Sequence, residues 1–298
     1  VKLGFVGTGA MGAPMSKRLL DQGHELVIFD INSASMTPIL EAGAVAADSP
    51  REVADNAEIV FVSVPNNDAV RSAVLGEDGV IAGTKVRLYV SLCTTGSPLA
   101  SEVGATLSEQ ASITTVESPI SGGPPGAEAG TLSVMASGPE DAFREVEPLL
   151  RLFGKTVVYA GSAPGAAQIL KLANNILSAT ALAATSEAIV MGVKGGLDPA
   201  VMLEAINAGS GRNSATQDKF PRDVLTRNFS YGAALDILMK DTDLALAEGE
   251  ALGVDMKVCN QVRNMFRAAI DAGMGKQDIT AVVQCIEQQA GVTIPKVR

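Results

Sequence analysis

Short apolar runs alternate with amphipathic stretches through the first half of the chain. The runs fall at Leu3–Val6, Leu26–Phe29, Ile59–Val64, Val86–Leu92, Thr114–Glu117, Leu132–Ala136 and Thr156–Tyr159. Between them, Pro14–Leu20, Met36–Glu41, Asp68–Leu75, Leu99–Leu107 and Glu140–Leu150 place apolar residues at helical spacing. Such alternation predicts an α/β domain, a mostly parallel doubly wound sheet with helices on both faces. The later strands, around Pro124-Pro125-Gly126 and Gly130, are expected to extend that sheet as a mixed one.

After Gly161-Ser162-Ala163-Pro164-Gly165 the pattern changes. From Ala166 to about Val193 the only glycine or proline is Gly192, and Ala, Leu, Ile and Asn dominate. At about 1.5 Å per residue this is a helix of roughly 40 Å, apolar on most sides and therefore expected to be buried. Helical patterns follow at Pro199–Asn207, Ala233–Leu252, Met256–Ala272 and Ile279–Gln289, and no strand pattern follows Tyr159. The expected division is an α/β domain over 1–162 and an all-helical domain over 163–298, with the long helix as the joint.

The first strand runs into Gly7-Thr8-Gly9-Ala10-Met11-Gly12, and the second ends at Asp30. Gly7 permits the tight turn, Gly9 lets backbone approach a pyrophosphate, and Gly12 lets the helix pack close to the strand. The phosphates then lie on the helix N-terminus, where unpaired N–H groups favour negative charge. Strand before, helix after and acid at the right distance together predict a Rossmann-type dinucleotide site, with Ala10 and Met11 in its turn. Asp30 can accept from both ribose hydroxyls. No arginine follows in Ile31-Asn32-Ser33, so NAD is expected over NADP.

Composition narrows the chemistry. The 298 residues carry a formal charge of −10, which argues against nucleic acid or an anionic membrane as partner. Cys93, Cys259 and Cys285 are far apart with no CxxC, and read as reduced thiols of a cytoplasmic protein. The chain opens on a strand without a signal peptide, and no apolar run is expected to span a bilayer; a transit peptide removed beforehand stays open. The single histidine, His24, falls in a surface turn, which excludes a histidine-built zinc site. Tyr89, Tyr159 and Tyr231 have no lysine four residues on, so a Tyr-x-x-x-Lys pair is missing as well. Any proton moved with a hydride must come from another group.

The long helix offers one. Lys171, Asn175 and Ser178 are spaced i, i+4 and i+7 and share a face, with Asn174 beside Lys171. Read structurally, they are a solvated stripe. Read chemically, Lys171 exchanges a proton with a carbonyl or hydroxyl oxygen, its pKa lowered by desolvation and by nearby cations, while Asn175 orients that oxygen. Ser118 to Ala127 is a second glycine-rich loop, in which Ser121, Gly122 and Gly123 can receive a carboxylate; turn chemistry explains its glycines equally well. Val64, Pro65 and Asn66 follow a strand and should lie along the cofactor. So should Thr95 in Thr94-Thr95-Gly96-Ser97-Pro98, where Ser97 before Pro98 also reads as a helix cap.

With these pieces assembled, the chain resembles the β-hydroxyacid dehydrogenase family, whose members include 3-hydroxyisobutyrate dehydrogenase, tartronate semialdehyde reductase and the glyoxylate and succinic semialdehyde reductases. The resemblance rests on Gly7-Thr8-Gly9-Ala10-Met11-Gly12, Thr94-Thr95-Gly96-Ser97-Pro98, Ser121-Gly122-Gly123 with Gly126-Ala127, Lys171 with Asn174-Asn175, and Lys240-Asp241, and covers essentially the whole chain. It implies Lys171 as acid–base, Asn175 at the substrate, Ser121-Gly122-Gly123 at its carboxyl end, and Lys240 closing over the nicotinamide. Three positions depart from the family pattern: Ala167 replaces a glycine, Glu117 replaces a common aspartate, and Gly209 to Ser214 lacks a bulky aromatic in a segment that faces substrate. Arg212 in that segment reads as a contact to a second acidic group or as a surface arginine.

The resulting expectation is an NAD-dependent dehydrogenase of a small 3-hydroxy acid such as 3-hydroxyisobutyrate, working as a homodimer or homotetramer without a metal. A reductase of glyoxylate, succinic or tartronate semialdehyde using NAD(P)H is the enzymatic alternative. From another class, a non-catalytic NAD sensor is the alternative.

Overall fold

The computed structural model describes residues 2–297, which pack as two units, one ending at Lys171 and the other starting at Leu172. In the first unit six strands are all parallel: β1 (Lys2–Val6), β2 (Glu25–Phe29), β3 (Val45–Ala46), β4 (Ile59–Val62), β5 (Leu88–Ser91) and β6 (Thr114–Glu117). Their order is β3-β2-β1-β4-β5-β6. The order reverses between β1 and β4, and the crevice beyond their carboxyl ends is where such sheets take dinucleotides.

Both faces of this sheet are covered, which is why its strands read as unbroken apolar runs. Leu3, Phe5, Ile59, Phe61, Leu88 and Val90 enter one core, with Met15 and Leu19 of α1 (Gly12–Asp21) and Met36 and Ile39 of α2 (Ser33–Glu41). Val6, Val60, Val62 and Tyr89 enter the other, with residues of α3 (Pro50–Asn56), α4 (Asn67–Val70) and α5 (Ser97–Ala111). Helix α3 carries no long apolar period, but it opens on a reciprocal cap: Glu52 N–H donates to Ser49 Oγ, and Asp48 N–H to Glu52 Oε2.

The later strands do not extend the main sheet. A separate three-stranded sheet forms from β7 (Ile120–Ser121), β8 (Leu132–Ala136) and β9 (Gly154–Tyr159), with β7 antiparallel to β8 and β8 parallel to β9. Pro119 has no N–H to continue a ladder beyond β6, and one bridge, Glu117 with Ser137, links the two sheets. The segment Ser118 to Ala127, expected as a loop, instead contains β7 and the start of α6 (Gly123–Ala129); α7 (Glu140–Leu150) follows β8. The expected cap at Ser97 also shifts by one residue: Gly96, at φ 80°, caps α5, and Ser97 is its first helical residue.

Helix α8 (Ala166–Lys194) runs across the division between the units. Its length and composition would allow a membrane span, against the sequence expectation, yet half of that window is buried in the protein. The expected burial holds for one side of the helix, with Leu172, Ile176, Leu182 and Ile189 buried, but not for the other, where Leu177 is 69% and Met191 71% exposed. In the second unit α9 (Pro199–Ala208), α10 (Leu235–Ala251), α11 (Lys257–Ala269) and α12 (Val283–Ala290) join a π-helical segment, Ala215–Val224. Leu182, Phe220, Met239, Phe266 and Val283 form its core. No strand lies beyond β9 among the described residues.

Candidate active site

The glycine turn after β1 is shaped by close approach. Gly7 sits at φ 89°, and a side chain there would meet the Ser63 carbonyl; one on Gly12 would meet the Gly7 carbonyl. A Cβ on Gly9, by contrast, meets nothing within 4 Å, and Gly9 and Ala10 are exposed. Met11 precedes α1 and supplies no side-chain cap to its first amides. The turn is therefore closed toward the protein and open on the side a pyrophosphate approaches. Asp30 is held half-buried at the end of β2: Thr8 N–H donates to Oδ2 at 2.7 Å and Asn32 N–H to Oδ1 at 2.8 Å. Each oxygen keeps a lone pair for a ribose hydroxyl. Next to it, the Ile31 side chain is 96% exposed. These residues fit an NAD(P) adenosine and pyrophosphate.

Val64 is half-buried, with its N–H on the Cys93 sulfur at 3.3 Å, while Pro65 and Asn66 are exposed. Asn66 Oδ1 caps α4 by accepting from Ala69 N–H, so that oxygen already has a local role. Thr95 is buried after β5, its carbonyl accepting from Asn67 Nδ2. Ser121 ends β7, and Gly122 and Gly123 have φ of 132° and 64°, a conformation that suits glycine.

The head of α8 is tied to the carboxyl ends of the strands by three side chains. Gly165 N–H donates to Glu117 Oε1 at 3.0 Å, and Ala167 N–H to Ser137 Oγ at 3.0 Å. Gln168 accepts from Thr95 N–H at 3.0 Å and donates to the Cys93 carbonyl at 3.1 Å. A side chain on Gly165, at φ 81°, would collide with Ser97. Ala167 is fully buried in this junction, so its methyl belongs to packing and does not line an open entrance. Glu117 is 4% exposed, and burial pushes its carboxyl up to about 7, against the pull of the Gly165 and Ser137 hydrogen bonds. Lys171 follows one turn later and is 5% exposed.

Further along α8, Asn174 Nδ2 donates to Asn175 Oδ1 at 3.0 Å, and Asn175 Nδ2 donates to Asp241 Oδ2 at 2.6 Å. Asp241 is buried and pairs with Lys240 at 3.1 Å. Lys240 also lines an open groove of about 530 Å³ along α10, with Asp236, Asp243 and Arg267. Ser178 Oγ accepts from the ammonium of Lys219 at 3.0 Å. Arg212 is exposed.

Sequence reading missed four participants: the Ser137 and Gln168 ties, the Asn175–Asp241 bond, and buried Lys219. Spacing along one segment carries no sign of such partners, since each joins residues at least thirty positions apart. Glu117 stood out only as a departure from a family pattern.

Residues 2–161 match the NAD binding domain of 6-phosphogluconate dehydrogenase, and residues 165–286 match the family described as NAD-binding of NADP-dependent 3-hydroxyisobutyrate dehydrogenase. The chain is 34% identical to 2-(hydroxymethyl)glutarate dehydrogenase of Eubacterium barkeri, over 99% of this chain and 97% of that protein. It is 34% identical to 3-hydroxyisobutyrate dehydrogenase of Pseudomonas aeruginosa, over 89% and 90%. The solved Mycobacterium tuberculosis 3-hydroxyisobutyrate dehydrogenase with L-serine superposes at a TM-score of 0.86, with 26% identity, over 96% of this chain and 98% of that one. Fold and matches define an NAD(P)-dependent oxidoreductase acting on CH–OH. The chain belongs to the 3-hydroxyisobutyrate dehydrogenase, or β-hydroxyacid dehydrogenase, family.

Proposed function

We propose that this enzyme transfers hydride between NAD and the hydroxyl-bearing carbon of a small 3-hydroxy acid, with Lys171 as general acid–base. The observation that carries this reading is a buried lysine one turn after a helix head held to the strand ends by four hydrogen bonds. That is where substrates of such sheets react, and a lysine so held has little freedom to leave. The nicotinamide, when bound, supplies the hydride acceptor.

In the oxidation direction Lys171 takes the hydroxyl proton on its amine as the carbon loses hydride, leaving the aldehyde acid; in reduction it returns the proton to the carbonyl oxygen. Asn175, oriented by Asp241, holds that oxygen, with Asn174 beside it. Ser121 and the backbone of Gly122 and Gly123 receive the carboxylate, which supplies near-attack orientation to a substrate too small to be oriented by its bulk. The NAD-binding role falls to residues 1–162, with Gly7, Gly9, Ala10, Met11, Gly12, Val64, Pro65, Asn66 and Thr95 along the cofactor. The substrate role falls to 163–298. The Asp30 carboxylate favours NAD, since a 2′-phosphate would meet it with no cation adjacent. The exposed apolar residues of α8, Leu177 and Met191, support a homodimer or homotetramer.

The test is absorbance at 340 nm with a panel of mono- and dicarboxylic 3-hydroxy acids, among them 3-hydroxyisobutyrate, L-serine and 2-(hydroxymethyl)glutarate, and with the matching aldehyde acids, each with NAD and NADP in the appropriate redox state. Reduction of NAD by at least one of these acids is expected. Cofactor binding without reduction by any of them, in either direction, identifies a sensor and overturns the reading.

A further inference from the structure

Leu92, just past β5, still donates to the Val62 carbonyl at 2.9 Å, but beyond it the chain leaves the sheet ladder. Its next main-chain groups meet a side chain. Gln168, in the first turn of α8, is fully buried. Its carbonyl accepts from Thr95 N–H at 3.0 Å, and its amide donates to the Cys93 carbonyl at 3.1 Å. A carbonyl and an N–H two residues apart are what a strand presents to one residue of a parallel neighbour, and the Gln168 amide stands in that neighbour's place. Cys93 is fastened in turn to the end of β4: Val64 N–H donates to its sulfur at 3.3 Å, and its thiol donates to the Val62 carbonyl at 3.4 Å. Asn67 Nδ2 donates to the Thr95 carbonyl at 3.1 Å. The turns after β4 and β5 are thus tied to each other and, through Gln168, to the head of α8, all within the first unit.

These are the two turns that the dehydrogenase reading sets along the cofactor, and Lys171 follows Gln168 by one helical turn. Hydride moves to or from the nicotinamide while a proton moves at Lys171, so both transfers depend on one relative placement. Resting on that reading, we propose that Gln168 is a positioning residue: its amide fixes the Cys93–Thr95 turn against the head of α8, and so sets the Lys171 amine relative to the nicotinamide. Glu117 and Ser137 anchor the same head through Gly165 and Ala167 N–H. Those bonds run to β6 and to the end of β8, whereas the Gln168 bonds run to the turn after β5. Without the amide the helix head keeps its other anchors but gains freedom to shift against that turn. A misplacement of about 1 Å costs on the order of 100-fold in rate when two groups must meet in a fixed geometry.

Two variants test this. Gln168→Met keeps the length of the side chain and removes both bonds. Its kcat with the best 3-hydroxy acid should fall about 10- to 100-fold, while KM and NADH affinity stay within about threefold. Gln168→Glu separates positioning from packing. Protonated, its carboxyl accepts from Thr95 N–H and donates to the Cys93 carbonyl as the amide does; ionised, it turns a lone pair on that carbonyl. Its kcat relative to the unmodified enzyme should therefore exceed that of the Met variant at about pH 6 and decline as the carboxyl ionises, while the Met ratio stays flat. Hydrogen exchange of the NADH-loaded protein reads the joint without turnover: Gln168→Met should speed exchange at Thr95 N–H and over the head of α8 together, by roughly tenfold or more. If acids are oxidised but the Met variant keeps kcat within about twofold, or the Glu variant is impaired equally at every pH, the positioning role is refuted and the dehydrogenase reading stands. If no acid is oxidised while exchange at both segments rises in Gln168→Met, the dehydrogenase reading fails and the joint stands.

Discussion

Glu117 should make the enzyme lose stability as pH rises toward neutrality. Its carboxyl is buried where β6 meets the head of α8, and it keeps its proton up to about pH 7 instead of the ordinary 4.5. The unfolded chain releases that proton near 4.5. Between these values the folded state binds more protons, so unfolding free energy falls as pH rises, and levels off above 7. At roughly 1.4 kcal/mol per pH unit, the contribution lost across the window is about 3 kcal/mol. Glu117→Gln keeps an acceptor for Gly165 N–H at the position of Oε1 but cannot ionise. Urea unfolding at half-unit steps from pH 4.5 to 8 gives both curves. Their difference should change by about 3 kcal/mol across the window, with the variant relatively more stable at pH 8. Parallel curves would refute the reasoning, because they would mean that the buried carboxyl titrates alike in both states.

Two further outcomes follow from the site. Asp30→Ala with Ile31→Arg should narrow or reverse cofactor preference: a close like-charge contact and two lost hydrogen bonds are worth on the order of 2–4 kcal/mol, roughly 30- to 1,000-fold in kcat/KM. An unmodified enzyme that uses NADP as well as NAD contradicts this. Asp241→Ala removes the acceptor of Asn175 Nδ2, a charge-assisted bond of about 1.5–3 kcal/mol, so kcat/KM should fall roughly 10- to 100-fold. NADH affinity measured by fluorescence should stay within a few-fold, and unchanged kcat/KM sinks the positioning role.

What the sequence disclosed and what it hid have separate physical causes. β1, β2, β4 and β5 were legible because both faces of the sheet are buried, which writes each strand as a continuous apolar run. The glycine turn was legible because close approach at Gly7 and Gly12 tolerates no side chain. β3 was hidden, since Val45–Ala46 is a two-residue exposed edge. Helix α3 was hidden behind a short apolar pattern, although Ser49-Pro50-Arg51-Glu52 carries a capping signature. At the site, helical spacing grouped Lys171, Asn175 and Ser178, because that grouping is local. Their partners Asp241 and Lys219 come from distant segments, and no period along the chain encodes them. Mixed extension of the sheet was expected because strand patterns continue past Pro119, whose missing N–H becomes decisive only once the ladder is seen.

The central claim is that Lys171 moves the proton while hydride is transferred, and Lys171→Ala tests it most directly. Steady-state turnover of the best 3-hydroxy acid, together with NADH binding by fluorescence, separates chemistry from cofactor affinity. A loss of about 10²- to 10⁴-fold in kcat, the usual worth of a positioned acid–base, with NADH affinity within a few-fold, is the result predicted. Near-normal turnover in the variant would contradict the account.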